Sequence, residues 1–246
     1  MRYLIFSDIH GNIEALHAIL SSIKKNTIDK YLFLGDLVGY GASPNEVISE
    51  IRKLKPLSII RGNHDKAVSG LDSIETFNPV AAAAIHWTRE NLTSKNMNYL
   101  SELPSGPLTV DKNITICHGS PADEDYYIFG EFDAAEAFMY TNTPVTFFGH
   151  THLPFVYTED DRLVRGKFIT SNTHKARLKD KTRYLINPGS VGQPRDRNPD
   201  AAYTVYNSEE KNVVFHRVEY DIPAAQKKIT QVELPRSLAE RLKIGI

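Results

Sequence analysis

Five short apolar runs punctuate the first 150 residues: Tyr3–Phe6, Tyr31–Leu34, Leu57–Ile60, Ile114–Cys117 and Val145–Phe148. Each is rich in β-branched or aromatic residues and gives way to polar residues and glycine, which reads as a strand. Helical signals separate the first three. Ile13–Lys25 is amphipathic, and Pro44–Lys53 starts with a proline in its first turn behind Ser43 as the N-cap. Strands are therefore expected over Tyr3–Ser7, Lys30–Gly35 and Leu57–Gly62. That βαβαβ order predicts a parallel sheet with right-handed crossovers.

The segment Asn78–Leu103 reads as helical, with Ala81–Ala84 giving high propensity and Pro104 closing it. Beyond it strands dominate: Leu108–Val110, Ile114–His118, Val145–Gly149, Phe155–Thr158, Tyr184–Asn187, Ala202–Asn207 and Asn212–Glu219. A helix is expected at Phe132–Tyr140, and terminal helices at Pro223–Val232 and Ser237–Leu242. No internal repeat or flexible linker divides the chain. One α/β domain over residues 1–246, two stacked sheets flanked by helices, is the architecture this pattern predicts.

Composition narrows the function classes. Of 246 residues, 41% are hydrophobic and 24% charged, as in globular proteins. A net charge of −1 gives no global pull toward nucleic acid or acidic membranes, so any anion attraction has to be local. No run reaches the roughly 18 apolar residues needed to span a bilayer, and the start of the chain does not read as a signal peptide. A cytoplasmic location is the default expectation. The single cysteine, Cys117, excludes an internal disulfide and, inside an apolar run, reads as a buried inert thiol.

Polar residues at the strand ends carry the chemistry. The groups are Asp8-Ile9-His10, Gly35-Asp36, Gly62-Asn63-His64-Asp65, His118-Gly119 and Gly149-His150-Thr151-His152. Ligands of such sheets gather beyond the carboxyl ends of the strands. Asp8 and His10, two apart at an extended strand end, are expected to point the same way. Asp36 is placed to bridge two cations, Asn63 offers an amide oxygen, and His118, His150 and His152 supply imidazoles. Seven ligands with one bridging leave about four of roughly twelve octahedral positions for water and substrate. Mixed oxygen and nitrogen donors favour manganese, iron or zinc over magnesium or calcium. Such a pair can clamp a phosphoryl group and generate hydroxide near neutral pH. His64 is the candidate general acid for the departing oxygen, and Asp65 a candidate to orient it.

Together these segments resemble the calcineurin-like metallophosphoesterase superfamily, in its small bacterial and archaeal phosphodiesterase-like branch. They occur in family order, and Asn187-Pro188-Gly189-Ser190-Val191-Gly192 is similar to that branch's closing segment. The resemblance implies a four-layer α/β/β/α sandwich of two mixed sheets and a binuclear centre. It implies Asp8, His10, Asp36 and His152 on one metal, and Asp36, Asn63, His118 and His150 on the other, with His64 catalytic. The implied activity is hydrolysis of small phosphate mono- or diesters or nucleotide polyphosphates by a metal-bridging hydroxide. One departure matters. Where phosphoprotein phosphatases and symmetrical diadenosine tetraphosphate hydrolases carry an arginine-containing triplet, this chain has Gly39-Tyr40-Gly41. No arginine grips phosphate there and no aspartate supports His64, which weakens the phosphoprotein phosphatase reading. A broad phosphomonoesterase or phosphodiesterase, or a dinucleotide-polyphosphate hydrolase, fits better, with phosphoprotein phosphatase and diadenosine tetraphosphate hydrolase kept as the alternatives.

Phosphate contacts are then expected from Arg61, Arg195 or Arg197, and Asn12 is a further substrate-contact candidate beside its role in turning the chain into the first helix. His17, His86, His174 and His216 match no motif and read as structural. Asp123-Glu124-Asp125-Tyr126-Tyr127 reads equally as a substrate wall or a solvated turn. Arg162–Arg183, with eight Lys/Arg and one acid, reads first as solvated surface and second as a basic hairpin holding nucleotide phosphates. The expected partner is a small phosphate ester or nucleotide, with no membrane and no dedicated nucleic-acid surface, and a homodimer as the default assembly. A non-catalytic scaffold is the competing class, and the complete ligand set argues against it.

Overall fold

Alternation along the first strand sets the layering. In β1 (Arg2–Phe6), Leu4 and Phe6 face one way into a core with Leu16 and Ile19 of α1 (Ile13–Ser22), while Tyr3 and Ile5 face the opposite way into a second core. A computed structural model describes residues 1–24 and 27–246. The expected end of the first helix at Lys25 lies outside the described residues. The chain continues through β2 (Lys30–Phe33), α2 (Pro44–Ile51), β3 (Leu57–Ile59), α3 (Asn63–Val68), α4 (Pro79–Asn91) and α5 (Ser94–Ser101). Next come β4 (Leu108–Asp111), β5 (Ile114–Ile116), α6 (Glu131–Phe138), β6 (Val145–Phe147), β7 (Pro154–Asp160) and β8 (Leu163–Phe168). The rest is β9 (Thr173–Arg177), β10 (Arg183–Pro188), β11 (Ala201–Asn207), β12 (Asn212–Val218), α7 (Ile222–Gln231) and α8 (Arg236–Leu242).

Two mixed six-stranded sheets result, ordered β3-β2-β1-β11-β12-β9 and β4-β5-β6-β10-β7-β8. β1, β2 and β3 are parallel, as are β5, β6 and β10, so their carboxyl ends emerge together. Tyr3, Ile5, Leu32 and Leu34 of the first sheet meet Ile116, Val145, Phe147 and Ile186 of the second. Outside the second sheet, Phe148 and Leu185 pack on Ala134 and Phe138 of α6. The layers are thus helix, sheet, sheet, helix. α7 and α8 pack through Ile229, Leu238 and Leu242 against Ala81 and Ala84 of α4 and against Tyr40. No described helix is long and apolar enough to cross a membrane.

Local readings differ in four places. The helical stretch Asn78–Leu103 is two helices, because Thr93 caps a new one by accepting from Asn96 N. Ser43 precedes α2 without a side-chain capping bond. The short helix α3 was not expected: its six residues bury a catalytic-type motif rather than an apolar stripe. The basic segment 162–183 forms no hairpin with itself. β8 pairs with β7 and β9 with β12, so its two strands sit on the edges of different sheets.

Candidate metal centre

The residues after the strands converge through turns rather than through strand alternation. Asp8, His10, Asp36, His150 and His152 have φ of 56°, 50°, 61°, 66° and 61°, all in the left-handed region. The expectation that Asp8 and His10 point together from an extended strand end is therefore corrected: β1 stops at Phe6, and each of the two residues reverses the chain. Each such non-glycine residue costs about 1–3 kcal/mol and persists only where its surroundings hold it. Here the loops lace together, with Asp8 N donating to Gly35 O (3.0 Å), His10 N to Asp36 O (3.0 Å) and Gly11 N to Leu37 O (2.8 Å).

All seven ligand candidates meet. His152 Nε2 lies 3.3 Å from Asp8 Oδ1, and His10 Nε2 lies 3.5 Å from Asp36 Oδ2 and 3.1 Å from His152 Nε2. On the other side of Asp36, His118 Nε2 is 3.5 Å from the same Oδ2 and 3.2 Å from Asn63 Oδ1. Donor atoms of Asp8, His10, Asp36 and His152 cluster within 4.8 Å of one another, as do those of Asp36, His118 and His150. Asp36 belongs to both groups.

Backbone carbonyls fix the rings. His10 Nδ1 faces Val38 O (3.1 Å), His118 Nδ1 faces Leu34 O (2.8 Å) and His152 Nδ1 faces Gln193 O (2.6 Å). Each Nδ1 proton is thereby placed, and each Nε2 lone pair is aimed inward, the usual arrangement of a metal-ligating histidine. His150 is reversed: its Nε2 faces Asp125 O at 3.0 Å, which leaves Nδ1 as its lone-pair atom. Among the described residues, Asp8 Oδ1 and Asp36 Oδ2 are buried with no hydrogen-bond donor. Two imidazole lone pairs facing each other beside two orphaned carboxylate oxygens are repulsive without a cation between them, and they fit two metal ions.

The protonation pattern says the same. Burial pushes His10, His150 and His152 well below the ordinary imidazole value, so they stay neutral as ligands must. Burial raises the Asp8 carboxyl to about 7, with the Asp36 charge adding to it. For His118 burial opposes the imidazolium, but Asp36 and Asp8 outweigh it and raise the ring to about 10.

His64 sits beside this cluster. Its ring centroid is 4.8 Å from His10, 4.5 Å from Tyr40 and 5.1 Å from Phe77, and its Nδ1 is buried without a partner. Burial lowers its pKa to about 4, with Arg195 adding to the effect against Asp36. Asp65 does not orient this ring, contrary to expectation. Its carboxylate accepts instead from the backbone N–H groups of Asp36 (2.9 Å), Leu37 (2.9 Å), Val38 (3.2 Å) and Gly62 (3.1 Å). Gly39 has φ 131°, and a Cβ there would lie 2.6 Å from His64 Nδ1, so an aspartate at that position would require a different backbone.

The four substrate-contact candidates separate. Asn12 uses both ends of its amide within the fold, accepting from Ala15 N (3.1 Å) and donating to Gly192 O (3.0 Å). Arg61 donates Nε and Nη2 to Glu124 (3.2 and 2.8 Å), so its fork is already occupied by an acid. Arg197 is exposed, and its backbone N–H donates to Gly245 O. Only Arg195 addresses the cluster. Its charge acts on Asp8, His10, His64, His150 and His152, and its buried Nε has no partner.

Tyr127 stacks on His150 at 3.8 Å between centroids, and Glu124 and Asp125 pair with Arg61 and Lys66, so the acidic segment forms a wall of the site. Tyr40, named in the sequence only for the arginine it replaces, packs on His10 at 4.6 Å. With His64, Asn63, Phe77 and His150 these tyrosines line a cleft of about 420 Å³. The basic strands β8 and β9 line a separate groove of about 660 Å³ that includes none of these residues.

The calcineurin-like phosphoesterase superfamily domain matches residues 1–211. An uncharacterized protein of Methanocaldococcus jannaschii is 40% identical over 250 residues, covering 98% of this chain and 97% of its own. The crystal structure of a metallophosphoesterase from Sphaerobacter thermophilus superposes with a TM-score of 0.89 at 40% identity, covering 100% of this chain and 99% of its own. A hypothetical protein from Pyrococcus horikoshii shares the fold, with a TM-score of 0.83 at 23% identity over 100% and 98% of the two chains. The motif order, the two sheets and these likenesses place the chain in the calcineurin-like phosphoesterase superfamily, as a metal-dependent phosphoric ester hydrolase.

Proposed function

We propose that the protein hydrolyses small phosphate mono- or diesters or nucleotide polyphosphates at a binuclear centre. Asp8, His10, Asp36 and His152 would hold one ion, and Asp36, Asn63, His118 and His150 the other. The observation that carries this reading is the pair of orphaned oxygens, Asp8 Oδ1 and Asp36 Oδ2, facing inward-aimed imidazole nitrogens. The mixed donor set suits manganese, iron or zinc. Bound there, two such ions supply Lewis acidity and a hydroxide nucleophile near neutral pH.

The chain's own groups do the remainder. Arg195 offers its unpaired Nε and its charge to phosphoryl oxygens. Asp36 Oδ1 accepts from His64 N at 2.9 Å, which ties the acid's backbone to the bridging carboxylate. The burial that lowers His64 to about 4 leaves it neutral until an anionic phosphoryl group arrives beside it. That negative charge favours the imidazolium, which can then protonate the departing oxygen. The same reading takes residues 1–246 as one domain, since α7 and α8 pack on α4 and on Tyr40 at the site.

Turnover of bis-p-nitrophenyl phosphate with added Mn²⁺ tests the reading. Absence of turnover with Mn²⁺, Co²⁺, Ni²⁺, Zn²⁺ and Fe²⁺ in a protein shown by elemental analysis to hold metal would refute it. His64→Ala is expected to keep its metal and lose about 10²-fold or more in kcat, the reach of general acid catalysis. Equal kcat in that variant would remove His64 from the role.

A further inference from the structure

Behind Tyr40 the structure holds two arginines against one another. Arg195, in the loop before β11, donates Nη2 to Tyr40 Oη at 3.4 Å. Arg241, near the end of α8, lies 5.2 Å from the centroid of the same ring. Beside Arg241 sits the buried amide of Gln193, whose oxygen accepts from Arg241 Nη2 at 2.8 Å. Arg241 Nε also donates to Ile246 O at 2.7 Å. Among the described residues, neither guanidinium has a carboxylate side chain within ion-pair distance. The neighbouring acids are used elsewhere: Asp196 by Arg217, Glu14 by Lys228 and Glu240 by Arg236.

Two partly buried like charges held close to one another repel, and that arrangement is relieved by an anion. Burial and the Arg195 charge both push the Arg241 guanidinium down from its ordinary value. The Tyr40 ring between them also packs on His10 and His64, which places the pair alongside the candidate metal site. The charges of both arginines act on His64, which lines the cleft where a phosphoryl group would lie.

We propose that Arg195 and Arg241 together bind a second phosphate of the substrate, so that the site selects esters containing a pyrophosphate linkage over those with one isolated phosphate. This rests on the phosphoesterase reading above for its catalytic meaning. The anion site itself does not. Arg241 is a specificity residue supplied by α8, which lies beyond the family match at residues 1–211.

Calorimetric titration of the metal-loaded full chain, freed of excess metal, with methylenediphosphonate and with methylphosphonate tests it without requiring turnover. The wild-type protein is expected to bind the diphosphonate at least tenfold more tightly. Arg241→Ala and Arg241→Gln should reduce that preference to about threefold or less, and Arg241→Lys should keep part of it through its charge. Thermal melting identifies a variant that fails to fold, and the lysine variant then carries the comparison. An equal affinity of the wild type for both probes would overturn the proposal, as would a preference retained in folded Arg241→Ala and Arg241→Gln. If the preference depends on Arg241 but no phosphate ester is turned over, the phosphoesterase reading fails and the anion site stands. If esters are turned over without an Arg241-dependent preference, the reverse holds.

Discussion

Asp65 bonds to none of the candidate ligand histidines, yet it ties the loops of the site together. Fully buried, it gathers four backbone N–H groups from the loops that carry Asp36 and Asn63. Asp65→Asn keeps the shape but presents an NH₂ group to donors on one side, leaving buried amides unpaired. That substitution is expected to cost about 2–4 kcal/mol in urea denaturation, since each lost partner exposes a desolvation penalty of about 1–3 kcal/mol. A loss below about 0.5 kcal/mol would show that the loops hold without it. Cys117, by contrast, matches its sequence reading: fully buried, with a thiol raised by burial, it is an inert core residue.

The end of β10 and the segment that follows it work as a buckle between elements. Asn187 Nδ2 donates to Gly149 O (2.8 Å) and Thr151 Oγ1 (3.0 Å), which fixes the turn carrying His150 and His152. Three residues on, Ser190 Oγ donates to Asp8 O (2.8 Å), and Gly192 N donates to the same oxygen (3.0 Å). One short stretch thus clamps candidate-ligand loops from both sheets. Asn187→Ala is expected to weaken metal retention about tenfold or more, as outer partners of metal ligands commonly do. Competition with a chromophoric chelator measures this. Wild-type retention in the variant would mean that the turn is fixed by its backbone alone.

At the scale of the whole molecule, buried tyrosines set the alkaline limit of stability. Burial raises Tyr3, Tyr157 and Tyr220 to about 12, and for Tyr3 a 2.9 Å bond to Asp111 adds to it. An unfolded tyrosine ionises near pH 10, so the unfolded chain loses these protons first. Their contribution is therefore complete below about pH 10 and falls as pH rises from about 10 toward 12. Tyrosinate absorbance should show a fraction of phenols that ionise only together with loss of far-ultraviolet circular dichroism. If every phenol titrated below pH 11 in folded protein, the sandwich would be more open than the packing indicates.

The chemistry was legible because it is written in residue identity next to strand ends. Asp8, His10, Asp36, Asn63, His118, His150 and His152 each come after an apolar run, and parallel strands bring their ends to one edge. The substrate contacts were less legible. A guanidinium does not announce its partner in sequence, so Arg61 and Arg195 looked alike until one met Glu124 and the other was left unpaired. Strands β8 and β9 were hidden for a related reason: edge strands carry lysine and arginine where core strands carry valine, so periodicity is weak there.

Apolar periodicity and the placement of acids, amides and imidazoles determined by themselves the layered α/β architecture and the set of side chains available to metal, because both depend on local sequence. The tertiary structure alone decided how those side chains converge. Left-handed turns at five candidate ligand positions, and carbonyl acceptors that aim the His10, His118 and His152 rings, arise from loops distant in sequence bonding to one another. It also decided that an arginine from the last helix stands behind Tyr40, since only packing brings residue 241 next to residue 40.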